Sequence, residues 1–310
     1  MIQVENLAKK FGSLRAVDGI SFQVERGVLF GLLGPNGAGK TTTINVLSTL
    51  LPPDEGKVTI GGYEVRLDPA AVRRLIGIVP QEIALYQDLA ARDNLLFWGR
   101  LYGLAGKDLG RRVDELLELA DLHQQAKQKV ETFSGGMKRR LNLVAGLVHS
   151  PEILYLDEPT VGIDAQARSR ILEMIRELSN RGMTVIYTTH YLEEAEQLCD
   201  RIGVIDKGRM VALGDKEQLI DQVGDQDIIR LHLPQDAHKE FMEDFAESTD
   251  CLGVRIFRGK IEVCTVDGAR MLPGIQAWLS SRNLDLQQLE VERPNLETLY
   301  LNLTGRDLRE

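Results

Sequence analysis

Four apolar runs, Val28–Leu33, Ile76–Val79, Ile153–Leu156 and Thr184–Tyr187, are nearly continuous, as strands buried on both faces are. Half-exposed alternation predicts strands at Ile2–Glu5 and Ile20–Val24, and Lys57–Ile60 reads as another. Between these the period changes. Thr41–Leu51 places Ile44, Leu47, Leu50 and Leu51 on one helical face, Pro69–Leu75 suits a short helix, and Ala165–Leu178 is amphipathic and closes near Gly182. From about Leu85 to Ser150 the pattern is helical throughout: Leu95, Leu96, Trp98, Leu101 and Tyr102, then Val113, Leu116, Leu117, Leu119 and Ala120, then Leu141–Val148. Strands alternating with helices predict an α/β core with a mainly parallel sheet covered on both faces, into which the helical block, about 85–150, is inserted.

After Lys207-Gly208 a short hairpin and one helix complete a first domain, 1–222. The polar stretch 223–227 suits a linker, and residues 228–310 have a pattern of their own. Ile228–Leu233 reads as strand, Ala237–Ala246 as helix, and Val254–Phe257 with Ile261–Val266 as a hairpin around Arg258-Gly259-Lys260. Arg270–Arg282 reads as helix and Leu286–Val291 as strand. The order β-α-β-β-α-β predicts a small α+β domain of ferredoxin-like type, followed by a helix at Asn295–Leu303.

Composition narrows the setting. The net charge of −9 argues against a broad nucleic-acid-binding surface. Cys199, Cys251 and Cys264 are odd in number and far apart, so buried thiols in a reducing compartment are expected rather than a disulfide framework or a metal site. Met1-Ile2-Gln3-Val4-Glu5 does not resemble a signal peptide, and no apolar run approaches a membrane span, so a cytosolic location is expected.

Candidate chemistry centres on Gly34-Pro35-Asn36-Gly37-Ala38-Gly39-Lys40-Thr41-Thr42, which fits the phosphate-binding pattern G-x-x-x-x-G-K-[ST] between a strand and a helix. Backbone N–H groups and the positive end of the following helix answer the charge of a triphosphate. Lys40 can reach the β- and γ-phosphates, and the Thr41 hydroxyl can ligate Mg²⁺. Asp157 and Glu158 emerge together at the end of a buried strand, Asp157 as a Mg²⁺ holder and Glu158 as a general base for water. His190 ends another strand as a γ-phosphate contact, and Gln81 ends a third, where it can sense Mg²⁺ or the attacking water. Ser134-Gly135-Gly136 opens a helix, either as a plain cap or as a grip on a neighbouring molecule's nucleotide. Phe11 is either core or a platform for a purine base.

These residues, in this order along the chain, resemble the nucleotide-binding subunits of ATP-binding cassette (ABC) transporters, from Met1 to about Gln222. The resemblance implies a P-loop core with a helical subdomain, ATP and Mg²⁺ as ligands, and hydrolysis of ATP to ADP and phosphate. It also implies a head-to-tail, ATP-dependent homodimer that drives an integral-membrane permease from the cytoplasmic face. Phe11 would stack on adenine, Ser134–Gly136 would close on the other protomer's ATP, and Asp164 would sit at the seam. His190 would be the switch histidine, and Gln81 would link the site to the membrane partner. The signature Phe133-Ser134-Gly135-Gly136-Met137 departs from the usual Leu-Ser-Gly-Gly-Gln, Val161 stands where Ser is commoner, and Phe11 where Tyr is. The Met-ending signature and the stretch 294–306 are similar to the daunorubicin-resistance and ABC-2-type export branch.

Two alternatives lie outside transport: an ATP-gated regulator without hydrolysis, and a cassette protein acting on ribosomes or DNA. Glu158 and His190 speak against the first, the single cassette and acidic charge against the second. Every phosphate-handling candidate precedes Cys199, so truncation after Asp225 is expected to leave ATP affinity intact. A folded truncation that no longer binds ATP in a titration would show that the C-terminal region completes the site.

Overall fold

A computed structural model describes the chain except for residues 223–226, 246–250, 258, 283, 285, 287, 293–294 and 305–310. The expected linker lies outside the described residues save for Asp227, as do Ala246, Arg258, Pro294, Gly305 and Arg306 from the other expectations. Two compact units are present, Met1–Lys216 and Glu217–Asp307.

In the first unit, β1 (Ile2–Phe11) and β2 (Leu14–Val24) form a long hairpin, with Phe11 beside Leu14 at its tip. With β4 (Glu55–Ile60) and β5 (Tyr63–Glu64) they make a four-stranded antiparallel sheet ordered β2-β1-β4-β5. The sequence pattern predicted shorter strands and did not assign them to a sheet of their own. One-sided burial is the physical reason for the difference, since an antiparallel sheet can leave one face in water.

The second sheet is built from β3 (Leu29–Leu33), β6 (Ile76–Val79), β7 (Ile153–Asp157), β8 (Thr184–Thr189), β9 (Arg201–Asp206) and β10 (Arg209–Gly214). Its order is β10-β9-β3-β8-β7-β6, parallel except for the hairpin β9–β10. Lys207-Gly208 is the turn of that hairpin rather than its prelude. β3, β7 and β8 are buried along their whole length, which explains their unbroken apolar runs. One core joins both sheets and the helix α1 (Lys40–Leu47) through Ile2, Phe22, Phe30, Leu47, Tyr155 and Ile186. Phe22 and Phe30 stack with centroids 5.0 Å apart.

Helices α2 (Pro69–Leu75), α6 (Ala165–Asn180) and α7 (Leu192–Leu198) alternate with these strands, and α8 (Lys216–Asp221) follows β10 where the second unit begins. The inserted block holds α3 (Ala91–Leu101), α4 (Gly106–Leu119) and α5 (Gly135–Ala145). Arg92 pairs with Asp114 to tie α3 to α4. Asn94 clamps the preceding segment by accepting from the Tyr86 N–H at 2.8 Å and donating to its carbonyl at 3.0 Å.

The second unit contains β11 (Asp227–His232), α9 (Gln235–Glu240), β12 (Gly253–Phe257), β13 (Lys260–Thr265), α10 (Gly268–Ser281), β14 (Gln288–Glu292) and α11 (Leu296–Thr304). A π-helical turn, Phe241–Phe245, extends α9. The sheet order β12-β13-β11-β14, antiparallel throughout, is that of a split β-α-β pair. Ile229, Leu231, Phe241, Ile261, Val263 and Trp278 share its core. Glu262, 1% exposed, is paired with Arg230 at 2.9 Å and Arg255 at 2.7 Å.

Gly77 shows how closely the inserted block meets the sheet edge. A Cβ there would lie 2.2 Å from the Gly146 carbonyl oxygen, at the end of α5, and 2.9 Å from Pro151 Cγ. Backbone cannot yield as a side chain does, so Gly77→Ala is expected to destabilise by about 1–3 kcal/mol. Thermal or urea unfolding measures this, and an unchanged midpoint would show that α5 can move away from β6 freely.

Candidate nucleotide-binding site

β3 runs directly into the phosphate loop, and α1 begins at Lys40 behind Gly39, whose φ is +108°. A Cβ on Gly34 would lie 2.3 Å from the Ile205 carbonyl oxygen, and one on Gly39 would lie 2.4 Å from that of Ala16. These two glycines are required by the protein's own backbone, whereas Gly37, at φ +79°, faces open space where a ligand can approach. Within the loop the Ala38 N–H donates to the Pro35 carbonyl at 3.2 Å. The β9–β10 turn braces it, the Gly208 N–H donating to the Ala38 carbonyl at 2.9 Å.

Lys40 is buried and fully engaged. Its ammonium donates to the Gly34 carbonyl at 2.7 Å and the Pro35 carbonyl at 3.0 Å, and lies 3.0 Å from Glu158 Oε1. Glu158 Oε2 is 3.1 Å from His190 Nδ1, so one carboxylate bridges the lysine and the histidine. Glu158 follows β7 with φ +45°, in the left-handed region. Thr188 of β8 fixes this strand end: its hydroxyl donates to Asp157 Oδ1 at 2.6 Å and accepts the Glu158 N–H at 3.0 Å.

A cleft of about 510 Å³ gathers Phe11, Asn36, Gly37, Gly39, Lys40, Thr41, Thr42, Gln81 and Glu158. Phe11 is 49% exposed, which excludes the core alternative and leaves its ring available at the cleft wall. Gln81 presents its side chain there, while its carbonyl accepts from Arg139 of α5. Burial pulls the Arg139 guanidinium below its usual range, and it also donates to the Val161 carbonyl at 3.3 Å. Asp157 and His190 do not line this cleft and reach it through Thr188 and Glu158 respectively.

Ser134, Gly136 and Asp164 line a different cleft, of about 550 Å³, that shares no lining residue with the first. Ser134 caps α5 by accepting the Met137 N–H at 3.3 Å, and Asp164 caps α6 by accepting the Ala167 N–H at 2.8 Å. A Cβ on Gly135, which opens α5, would touch only Ile163 Cγ2 at 4.0 Å, but one on Gly136 would meet Ala167 Cβ at 2.5 Å, so glycine there lets α5 and α6 touch.

Sequence reasoning missed Arg15 and Lys207, which line the first cleft, and also Thr188 and Arg139, which fix its neighbouring backbone. Arg15 and Lys207 stand at hairpin positions brought to the loop only by tertiary folding, so no local signal marks them. Thr41, Gln81 and Asp157 carry oxygen donors of the hard kind that Mg²⁺ takes.

The ABC transporter family matches residues 17–161. The chain is 48% identical to a linearmycin resistance ATP-binding protein of Bacillus subtilis, over the whole of both chains. It is 39% identical to a daunorubicin resistance ATP-binding protein of Streptomyces coeruleorubidus, over 99% of this chain and 97% of that one. Its fold is similar to that of an ATP-binding subunit of an ABC transporter, with TM-score 0.66 and 30% identity over 72% of this chain and 93% of the other. It is also similar to a dimeric ATP-binding cassette in a post-hydrolysis state bound to ADP and Pi, with TM-score 0.64 and 26% identity over 69% and 98%. Likeness of this extent along the whole chain, over a unit that carries the phosphate loop, means that the protein belongs to the ABC transporter family and is one of its ATP-binding, ATP-hydrolysing subunits.

Proposed function

We propose that two copies of this chain bind ATP head to tail, between the phosphate loop of one and the Ser134 cleft of the other, and that hydrolysis drives a separate membrane permease in the direction of export. The observation that carries this is the separation of the two grips: Lys40 and Ser134 belong to clefts with no residue in common. In this reading a single triphosphate uses both across two chains. The export direction is supported by the names of relatives, which include a Nod factor export ATP-binding protein of Burkholderia lata, 42% identical over 311 residues. No helix among the described residues is long and apolar enough to cross a membrane. The permease is the partner this assignment adds, holding the chain at the cytoplasmic face.

In the composite site Phe11 stacks on adenine, and Lys40 exchanges Glu158 and the two loop carbonyls for phosphate oxygens. Glu158, released from the lysine, accepts the proton of the attacking water. His190 passes from Glu158 to the γ-phosphate. Thr41, Asp157 and Gln81 would hold Mg²⁺, which would supply positive charge to offset that of the phosphates. Positioning and electrostatics supply most of the acceleration.

Glu158→Gln keeps the shape and removes the base, so it should bind ATP while turnover falls by about 10²–10⁴-fold. Light scattering should then find an accumulated ATP-bound dimer, and wild-type phosphate release would dismiss Glu158 as the base. Lys40→Ala and Ser134→Arg should each be inactive alone. Mixed, they should recover activity, because one site of the heterodimer collects both lesions and the other is intact. Placing both lesions on one chain and mixing with wild type should give no such rescue. A requirement for two intact sites would also block recovery, so ATP-dependent cross-linking between cysteines placed near Gly37 and Gly135 completes the test. Only intrachain products, from a protein that stays monomeric with ATP, would exclude a shared site.

A further inference from the structure

Outside both clefts lies a buried carboxylate with no role so far. Glu194 stands in the first turn of α7 and is 3% exposed. Its Oε2 accepts three hydroxyl protons, from Tyr187 at 2.6 Å, Thr189 at 2.8 Å and Thr160 at 3.0 Å. Three hydroxyl donors converging on one oxygen make it the hub of the cluster. The other oxygen, Oε1, has the Arg168 Nε 3.5 Å away, an ion pair without a hydrogen bond. Burial, and after it the neighbouring Glu194 carboxylate, push the Tyr187 phenol well above its usual range.

The positions of the donors give the cluster its meaning. Thr189 immediately precedes His190, and its Oγ1 also accepts the Tyr191 N–H at 2.9 Å. The hydroxyl therefore spans His190, bonded to Glu194 on one side and to the residue after the histidine on the other. Thr160 lies two residues beyond Glu158 in the segment that leads to Asp164. Arg168 belongs to the first turn of α6, capped by Asp164, and its guanidinium lies 4.8 Å from the Tyr191 ring. One carboxylate thus joins the chain after Glu158, the turn carrying His190, and the start of α6. Burying a charge costs several kcal/mol, and apolar packing often holds a helix as well or better. A buried carboxylate here fixes geometry that apolar contacts leave loose.

We propose that Glu194 is a positioning residue for ATP hydrolysis, holding His190 at contact distance from Glu158 through Thr189. The inference rests on the roles assigned above to Glu158 and His190. None of Glu194, Thr160, Tyr187 and Thr189 lines the nucleotide cleft, so ATP binding itself should be untouched.

The test measures kcat, KM for ATP and the thermal midpoint on the full chain as wild type, Glu194→Gln, Thr189→Val, His190→Ala and the pair Glu194→Gln with His190→Ala. Glu194→Gln and Thr189→Val should each lower kcat by about tenfold or more while KM for ATP stays within about twofold. In the His190→Ala background, Glu194→Gln should cost less than about twofold further, because a residue acting through the histidine has nothing left to position. Multiplicative losses in the pair, or a rise in KM that accounts for the lost kcat/KM, would mean that the cluster is structural only. Should Glu194→Gln fail to fold, Thr189→Val alone and paired with His190→Ala carries the same comparison. Wild-type kcat in Glu194→Gln beside a slow His190→Ala would overturn the positioning role alone. Wild-type kcat in His190→Ala would overturn both that role and the assignment of His190.

Discussion

A buried ammonium faces a buried carboxylate at the centre of the first unit, Lys40 and Glu158, with side chains only 4% and 7% exposed. Each charge would cost several kcal/mol out of water if left alone. The pair is tolerated because two loop carbonyls and His190 complete its coordination. This constraint shapes the surroundings: the loop must curl so that the Gly34 and Pro35 oxygens face the lysine, and β7 must end where Glu158 can meet it. It also links binding to activation. In the proposed reaction an arriving phosphate replaces Glu158 as the lysine's counter-charge, and the carboxylate that can act on water is the one just displaced.

Much of the site was legible in the sequence, for a physical reason. The phosphate loop, Asp157-Glu158 and His190 all follow apolar strands of one sheet, so local pattern alone puts them at the same edge. Ser134 was legible as a helix start and caps α5, whereas Asp164, named only through the resemblance, proves to cap α6. What stayed hidden depends on tertiary approach. Arg15 and Lys207 reach the cleft because hairpins fold over the loop. The helix α7 went unpredicted because its Glu194 looks like surface but is buried, which blurs the amphipathic period. The glycine pattern was readable, but its cause was only partly so: Gly34 and Gly39 yield to neighbouring backbone that no local window contains.

The second unit was read from the order of its elements, and its sheet order agrees with that reading because a split pair of β-α-β crossovers leaves few alternatives. Its apolar residues at Ile229, Leu231, Ile261 and Val263 gather on one face with Trp278. The charged residues between them pair with one another around Glu262. Alternation along the strands announced the first fact, whereas the second required knowing which strands are neighbours.

The backbone at Glu158, held at φ +45°, has a bearing on how this chain would age under mutation. A side-chain-bearing residue in that region typically carries about 1–2 kcal/mol of strain, which glycine escapes and asparagine tolerates better. In the proposed reaction the base must be a glutamate there, against that gradient. Were a lineage to retain the scaffold for nucleotide-dependent assembly and abandon hydrolysis, drift to glycine or asparagine would be favoured twice over, by relaxed function and by relieved backbone. A homologue with glycine at this position would be the fossil of a former ATPase.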